Sequence, residues 1–244
     1  MRNFCDARCI LCVQPHYDDN DIGAGGSIAA LSAAGVLVVY LTVTDDLVGV
    51  LDASLAEDEA RWRLRKEQQK AGEIIGVHQQ YWLDYPDAGP IDYYALRRDI
   101  VAYIRRLRPD YIFTVDPWLP YEAHQDHLLT GRAVAEAAIL YHLPRFKTFP
   151  EVDAAYQRHQ IKGVVFYLTH APNMLYDISG TVEAKRRALQ EYRAQFSEAE
   201  LTALNSWLQE KERVWGEESR CAYAEALRVL SPTHLHICPE TWKL

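Results

Sequence analysis

The sequence predicts an α/β fold with a mainly parallel, doubly wound sheet. Short runs of apolar residues alternate along the chain with longer segments of helical periodicity, which is the pattern of right-handed βαβ units. Several of the apolar runs are almost uninterrupted, as in strands that are covered on both faces. With 244 residues the chain can bury one sizeable core, so we expect a single domain over residues 1–244.

The predicted strands are short apolar runs bounded by turn residues. β-branched and aromatic residues are frequent in them, and Gly35 separates the second strand from the helix before it. These strands span residues 9–13, 36–43, 81–83, 111–115 and 164–168.

The helical segments between the strands carry apolar residues at the spacing of a buried helix face. They span residues 22–34, 57–76, 93–107, 128–140, 181–196 and 197–230. Ser197, followed three residues later by Glu200, is a typical start for the last segment. In the second segment the expected buried positions are Trp62, Leu64, Ala71, Ile74 and Ile75.

Composition and charge argue against a nucleic-acid-binding, membrane-spanning or disulfide-rich protein. The formal charge of −8 and the pI of about 5.6 argue against nucleic acid as the main partner. We expect no membrane span, because no apolar run approaches the roughly 20 residues that cross a bilayer, and the first residues do not form a signal-peptide core. Five cysteines are an odd number without a disulfide framework. We therefore expect a cytoplasmic protein in a reducing compartment.

Two features of the N-terminal region leave other functions open. The spacing of Cys5, Cys9 and Cys12 is that of radical enzymes that hold an iron–sulfur cluster, although Cys9 and Cys12 lie in an apolar strand, where free cysteine is common. The glycines of residues 23–27 could cradle a phosphate in a non-catalytic sugar- or nucleotide-binding domain. They lack the complete dinucleotide-binding spacing, so we favour a tight turn from strand to helix.

Three metal-capable side chains follow the first predicted strand directly. His16, Asp18 and Asp19 come within four residues of one another, just after the apolar run of residues 9–13. In open α/β sheets, ligands bind at the carboxyl edge of the strands. Imidazole nitrogen and carboxylate oxygen suit zinc and its first-row neighbours. The sequence therefore predicts half of a metal site here.

A second group of candidate ligands follows the strand of residues 111–115. If that strand is a neighbour of the first one, His127 reaches His16 and Asp19. Two nitrogens and one carboxylate leave open positions on a catalytic zinc, where a water molecule binds and its pKa drops to about 7. Fe²⁺ or Co²⁺ would suit the same donors, because these ligands discriminate weakly between the metals.

The remaining side chains of the two groups suit catalytic roles. Asp18 lies between two ligand positions and can point toward the bound water as a general base. His124 reaches the same cavity if its segment begins a helix, and as an imidazolium it would stabilise an oxyanion. Asp126 is placed to orient an imidazole and to favour its charged form.

The two groups together resemble the signatures of the LmbE-like, or PIG-L, N-acetylglucosaminyl deacetylases. Residues 15–19 read Pro-His-Tyr-Asp-Asp and residues 124–127 read His-Gln-Asp-His, where the family usually has His-Pro-Asp-Asp and His-Pro-Asp-His. The resemblance spans most of the chain, and its supporting segments are residues 65–77, 85–89, 108–110, 177–185 and 195–196.

The resemblance implies a zinc-dependent amidohydrolase on a Rossmann-like three-layer sandwich, which removes the acetyl group from an N-acetylglucosamine unit. By motif position, the zinc ligands would be His16, Asp19 and His127. The general base would be Asp18, and the oxyanion stabiliser would be His124 assisted by Asp126.

For other positions, the resemblance gives a less direct indication of the role of the residue. Arg65 and Asp87 match positions that contact sugar hydroxyls in relatives. Tyr17 and Gln125 replace the usual prolines; neither proline would bind metal, so we expect the chemistry to survive with altered loop rigidity. Tyr192 stands where relatives often have histidine.

The expected partner is a small amino-sugar substrate. Relatives act on inositol-linked, malate-linked, antibiotic or chitobiose-type compounds, and the sequence does not select among them. Trp118 and Tyr121 suit either stacking on a sugar ring or anchoring of their loop. We also expect that the apolar stretch of residues 146–149 could serve a homo-oligomer contact.

Overall fold

A computed structural model describes Phe4 and residues 6–244 of the chain. Its strands are β1 (Cys9–Gln14), β2 (Leu37–Thr44), β3 (Gln79–Tyr85), β4 (Tyr111–Val115), β5 (Gly163–Tyr167), β6 (Met174–Asp177) and β7 (Ala224–Leu230). Its α-helices are α1 (Asp19–Ala33), α2 (Glu57–Ile75), α3 (Tyr93–Leu107), α4 (Gln125–Leu140), α5 (Pro150–Ala155), α6 (Val182–Leu189) and α7 (Glu198–Ser219). None of the helices in these described ranges is both long and apolar enough to cross a membrane.

The strands form one sheet in the order β3-β2-β1-β4-β5-β7-β6. The first five strands in this order are parallel, and β7 runs antiparallel to both of its neighbours. β1 lies between β2 and β4, with Val13 opposite Leu41 of β2 and Cys12 opposite Phe113 of β4. The prediction of a mainly parallel sheet is confirmed, and the carboxyl ends of β1 and β4 are neighbours.

Helices cover both faces of the sheet, as the uninterrupted apolar strands predict. Successive residues of a strand point to opposite faces, so Cys12 packs in the core under α1, α2 and α6, whereas Leu11 and Val13 pack under α3 and α4. The result is a three-layer α/β/α sandwich. Its two cores hold the central strands in register, and with them the loops at their carboxyl ends.

Helix α1 begins earlier than the sequence predicts. It starts at Asp19 rather than at residue 22, so the turn from strand to helix is formed by residues 15–18. Gly23 and Gly26 lie inside the helix, where they permit close packing: an added Cβ would lie 2.1 Å from the ring of Tyr167 and 2.8 Å from Ile178, respectively. The expected glycine turn is therefore wrong in position.

The C-terminal region differs most from the prediction of one helix over residues 197–230. Helix α7 ends at Ser219, because Arg220 takes a left-handed conformation with φ of 64°. Residues 224–230 form the fully buried strand β7. Their Ala, Glu, Leu and Arg residues favour a helix locally, and pairing with two strands outweighs that preference. Residues 181–196 also stop being helical early, since α6 ends at Leu189.

Smaller expectations had mixed outcomes. The capping box of Ser197 and Glu200 is confirmed. Leu64, Ala71 and Ile75 are buried and Ile74 is partly buried, but Trp62 is 61% exposed. In residues 146–149, both phenylalanines are half-buried beneath arginine side chains of α3, so the stretch is not the exposed apolar surface that we expected.

Candidate active site

A buried glutamine holds the loop that follows β1. The side chain of Gln14 donates to the carbonyl of Tyr17 at 3.1 Å and to the hydroxyl of Thr42 at 3.0 Å, and it accepts the backbone N–H of Asn20 at 2.8 Å. Pro15 accepts the N–H of Thr44 on the neighbouring strand. The loop thus has both ends tied to β2 and α1, which places its side chains at the carboxyl edge of the sheet.

The three predicted metal ligands meet at this edge. Asp19, the first residue of α1, lies 3.2 Å from His16 Nδ1 and 3.3 Å from His127 Nε2. His127 comes from the first turn of α4, which follows the neighbouring strand β4. Candidate ligand atoms of the three residues all lie within 4.8 Å of one another. Two imidazoles and one carboxylate are a donor set that holds a divalent metal such as zinc.

The charges of these groups are strongly coupled. Burial would raise the pKa of Asp19, but the imidazoles of His127 and His16 outweigh it and hold that pKa well below its usual range. Burial would lower the pKa of His16, but the nearby carboxylates of Asp126, Asp19 and Asp87 raise it well above normal. The carboxylates therefore stabilise a positive charge on the imidazoles, and they would stabilise a metal cation between these side chains in the same way.

His16 also faces a second set of carboxylates. Its Nε2 lies 3.5 Å from Asp87 and 3.6 Å from Asp126, and it is buried without a hydrogen bond of good geometry to the described residues. A histidine that binds metal through one ring nitrogen usually donates a hydrogen bond from the other to a carboxylate. The two faces of His16 match that arrangement, with Asp19 on one side and Asp126 and Asp87 on the other.

Asp18 is the cavity-lining carboxyl beside the ligands. It occupies the N-cap position of α1, yet its side chain makes no capping hydrogen bond and is only 6% exposed. Burial and the neighbouring charge of Asp19 raise its pKa to about 7. A carboxyl with such a pKa can exchange a proton near neutral pH, and a bound cation would favour its ionised form.

His124 and Asp126 also reach the site, as predicted. The His124 ring centroid lies 4.6 Å from that of His16. Burial, followed by the charges of His16 and His127, lowers the pKa of His124, which favours a neutral imidazole over the imidazolium that we expected. Asp126 is buried in the first turn of α4, and its carboxylate accepts the N–H of Ala88 at 2.9 Å.

Glu122 is a neighbour of the site that the sequence alone did not single out. Its carboxylate lies 3.3 Å from His127 Nδ1 and accepts the backbone N–H of His124 at 2.8 Å. It therefore orients His127, a candidate metal ligand, from the side away from Asp19. The sequence signal that could have identified Glu122 is its position in the same loop, two residues before the candidate residue His124.

Asp46 is a second such residue, and it explains the tyrosine that replaces a proline. The backbone N–H of Tyr17, which a proline would lack, donates to Asp46 at 3.0 Å, and Gln195 donates to the same oxygen at 2.6 Å. Asp46 follows β2 with a left-handed φ of 55° and is buried. In the sequence it is one of two acidic residues directly after a predicted strand.

The site opens into a cavity of about 320 Å³. Of the two predicted sugar contacts, Asp87 lines this cavity, but Arg65 does not. Arg65 instead forms an ion pair with Asp84 at 2.6 Å and lies over the ring of Trp82. The cavity is lined by His16, Asp18, Asp19, Ile22, Asp46, Val48, Gly49, Asp87, Ala88, His124 and Gln195.

The structure does not support a cysteine cluster among the residues that it describes. Cys5 lies outside them. Cys9 and Cys12 are buried in β1, where residues three apart point to opposite faces of the sheet. Burial raises the pKa of the Cys9 thiol to about 11 and holds the pKa of the Cys12 thiol well above its usual value, which disfavours the thiolate that binds iron. The candidate metal groups in the described chain contain only histidine and aspartate.

The alternative of a phosphate cradle at residues 23–27 is not supported either. These residues lie within α1 rather than at its start. The N–H groups of Gly26 and Ser27 donate to the carboxylate of Glu225 at 3.0 and 2.7 Å. The backbone donors are therefore already taken by an acidic side chain, which would repel a phosphate.

Three aromatic residues that the sequence singled out lie outside the lining of the site cavity. Tyr192 is buried and donates to Asp21, which also accepts the hydroxyl of Tyr40 at 2.6 Å. Trp118 packs edge-on against Phe166 and beneath an arginine of α4, as a loop anchor does, whereas Tyr121 is fully exposed. Neither of these two loop residues lines the site cavity.

The chain matches a known family over its N-terminal half. The family described as GlcNAc-PI de-N-acetylase, PIG-L, matches residues 11–138, which include both groups of candidate metal ligands. A diacetylchitobiose deacetylase of Thermococcus kodakarensis is 37% identical over 97% of this chain and 88% of its own length. A probable N-acetyl-α-D-glucosaminyl L-malate deacetylase of Bacillus anthracis is 28% identical over 78% of this chain and 82% of its own.

Solved structures give the same result. The N,N′-diacetylchitobiose deacetylase of Pyrococcus horikoshii, in complex with its inhibitor MPG, superposes with a TM-score of 0.91 at 34% identity. The match covers 99% of this chain and 90% of that one. The resemblance predicted from the two motifs is thus confirmed along the whole chain. The chain belongs to the PIG-L, or LmbE-like, family of deacetylases, which are hydrolases of N-acetyl amides.

Proposed function

We propose that this chain is a zinc-dependent deacetylase that acts on an N-acetylglucosamine unit of a small saccharide, with diacetylchitobiose as the favoured substrate. The observation that carries the proposal is the meeting of His16, Asp19 and His127 beside a cavity, with ligand atoms within 4.8 Å of one another. Such a donor set leaves positions for water and substrate. Fe²⁺ or Co²⁺ would suit the same three residues.

The residues around the proposed ligands are arranged to support a cation. When bound, the metal polarises the acetamide carbonyl and makes a water molecule acidic. Asp126 and Asp87 lie beside the far nitrogen of His16, and Glu122 lies beside the far nitrogen of His127. These carboxylates fix the orientation of both rings and increase their basicity.

Asp18 is the proposed general base. It lines the cavity, its side chain is not used in capping, and its position next to Asp19 places it beside the reacting water. It accepts the proton of that water as the carbon–oxygen bond forms. When the carbon–nitrogen bond breaks, the sugar amine leaves with a proton that Asp18 or His124 supplies.

His124 is the proposed oxyanion stabiliser. It lines the cavity at the N-cap position of α4, and the neutral form that its lowered pKa favours still donates one ring N–H. That hydrogen bond would meet the negative charge that develops on the acetamide oxygen. Asp126, two residues further along, would assist by orienting the neighbouring imidazole of His16.

The proposed substrate is supported by the similarity of the chain to a named deacetylase and by one carboxylate that lines the site cavity. The Thermococcus relative is named as a diacetylchitobiose deacetylase, and its sequence is 37% identical to this one over 97% of this chain. Asp87 lines the cavity and is proposed to bind a sugar hydroxyl. Arg65 keeps the same proposed role only if it leaves Asp84, because its guanidinium is ion-paired there.

We also propose that residues 1–244 form one domain and that the protein assembles with copies of itself. The one-domain proposal is supported by the single sheet, which draws strands from residues 9 to 230. Sedimentation of the purified protein would test the assembly, and a monomer would contradict it.

Elemental analysis together with acetate release tests the proposed function. We expect about one zinc per chain in the wild type and acetate release from diacetylchitobiose. The double variant His16→Ala with His127→Ala should lose both the metal and the activity. Zinc-loaded protein that releases no acetate from N-acetylglucosamine or diacetylchitobiose would contradict the proposal.

A further inference from the structure

A second cavity of about 300 Å³ lies next to the active site. It opens between α1, α7 and the loops that follow β4 and β5. Trp207 and Trp215 of α7 form one wall, and Leu119 and Leu168 of the two loops form the other. The loops belong to the same carboxyl edge of the sheet that carries the proposed metal ligands.

One side chain separates the two cavities. Ile22 lines both of them, and it lies in the first turn of α1, three residues after Asp19. A ligand that fills the active-site cavity and extends past Ile22 therefore enters the second cavity. A compound of two linked rings would occupy both cavities, whereas a single sugar would occupy the first.

The chemistry of the second cavity is amphipathic. Its walls are aromatic and aliphatic, and Trp207 is 52% exposed. Its floor contains the buried ions Lys185 and Glu212, whose side-chain N and O atoms lie 2.7 Å apart. A carboxylate has about four acceptor sites, and Lys185 is the partner of Glu212 among the described residues.

A fully apolar occupant would desolvate these charges without replacing the hydrogen bonds of water, which is unfavourable. A pyranose ring fits both surfaces, because its C–H face packs on an indole while its hydroxyls donate to a carboxylate. We propose that this cavity binds the second sugar ring of the substrate, with Trp207 as the stacking surface and Glu212 as the hydroxyl acceptor. The inference depends on the proposed deacetylase function.

The test compares two substrates in one variant. We expect Trp207→Ala to raise KM for diacetylchitobiose about tenfold, because truncation of a stacking aromatic removes a large share of local binding energy. KM for N-acetylglucosamine, which ends before Ile22, should change less than about twofold. Trp62→Ala, at another exposed tryptophan that lines neither cavity, is the matched control and should change neither value.

Each outcome separates the two proposals. A wild type that hydrolyses both substrates, with a KM ratio that Trp207→Ala leaves unchanged, overturns the second-ring site and leaves the deacetylase proposal standing. A wild type with no activity on either substrate overturns both. If Trp207→Ala lowers the sedimentation mass but not the KM ratio, the cavity belongs to a contact between copies and the inference is wrong.

Discussion

Two clusters of buried charged side chains lie along helix α1, and they differ in how their charges are balanced. The site cluster, near the start of the helix, consists of His16, Asp18, Asp19, Asp87 and Asp126. The anchor cluster, near the middle of the helix, consists of Lys185, Glu212 and Glu225. Both are mostly removed from water, so in each the cost of burying charge must be offset by partners.

The anchor cluster supplies its own counterion. Lys185 Nζ lies 2.7 Å from Glu212 and 2.6 Å from Glu225. Glu225 also accepts the backbone N–H groups of Gly26 and Ser27 on α1. The cluster thus joins α6, α7 and β7 to α1, the helix that begins with the proposed ligand Asp19.

The site cluster lacks such a balance. Three carboxylates, of Asp19, Asp87 and Asp126, lie within 3.6 Å of the ring nitrogens of His16. His16 Nε2 and Asp126 Oδ1 are buried without a hydrogen-bond partner in the described chain. Excess negative charge that converges on a cavity indicates a place for a cation, whereas a cluster with an internal lysine indicates a structural joint. The difference in charge balance therefore distinguishes the cluster that needs a cation from the cluster that joins secondary-structure elements in the same protein.

The largest expected effect comes from removing the centre of the site cluster. Asp19→Ala deletes the carboxylate that contacts both His16 and His127, so we expect loss of bound metal and at least about a thousandfold loss of activity. Metal analysis and acetate release measure the two losses. Asp58→Ala, an exposed acid in the first turn of α2, is the control. Full metal content in Asp19→Ala would contradict its assignment as a ligand.

Asp18→Asn separates the proposed base from the proposed ligands within the site cluster. We expect the variant to keep its metal while kcat falls by about 10²–10⁴, because an amide cannot accept the proton of the attacking water. The measurement is steady-state acetate release from protein whose metal content equals that of the wild type, with Asp58→Asn as the matched control. Unchanged turnover would rule out Asp18 as the base.

Lys185→Met is the corresponding change in the anchor cluster. It leaves two buried carboxylates without their shared counterion, so we expect the free energy of unfolding to fall by about 3–5 kcal/mol. Denaturant unfolding measures this fall. Where the variant remains folded, its metal stoichiometry should equal that of the wild type. Metal loss from folded Lys185→Met would show that the clusters are coupled, contrary to the comparison.

Asp21 lies between the two clusters and gives the smallest expected effect, which depends on pH. Burial raises its pKa to about 6, although hydrogen bonds from Tyr192 and Tyr40 oppose the shift. The native protein therefore holds a proton that the unfolded chain releases above its ordinary pKa of 3.8. The free energy of unfolding should fall as pH rises from about 4 to about 6, by up to about 3 kcal/mol.

Asp21→Asn removes this titration, and the measurement is the difference in unfolding free energy between variant and wild type at a series of pH values. We expect the wild type to lose stability relative to Asp21→Asn across that window and the difference to level off above it. A difference that stays constant from pH 4 to pH 7 would contradict a raised pKa for this carboxyl.

Much of the fold was predictable because the signals are local. The apolar runs of β1 and β4 and the periodicity of α3 depend on neighbouring residues, and the structure places these elements within a residue of the prediction. Residues 224–230 were misread as helix, since their local preference is helical and their pairing partners are distant in sequence.

The sequence by itself determined the metal-capable groups of this protein. His16, Asp19 and His127 follow two apolar strands directly, and the edge of a parallel sheet brings the ends of neighbouring strands together. Only the tertiary structure decided what surrounds them. Gln195 reaches Asp46 across 149 residues of chain, and α7 builds the second cavity beside Ile22. Contacts of that separation depend on how whole elements pack, and no local pattern encodes them.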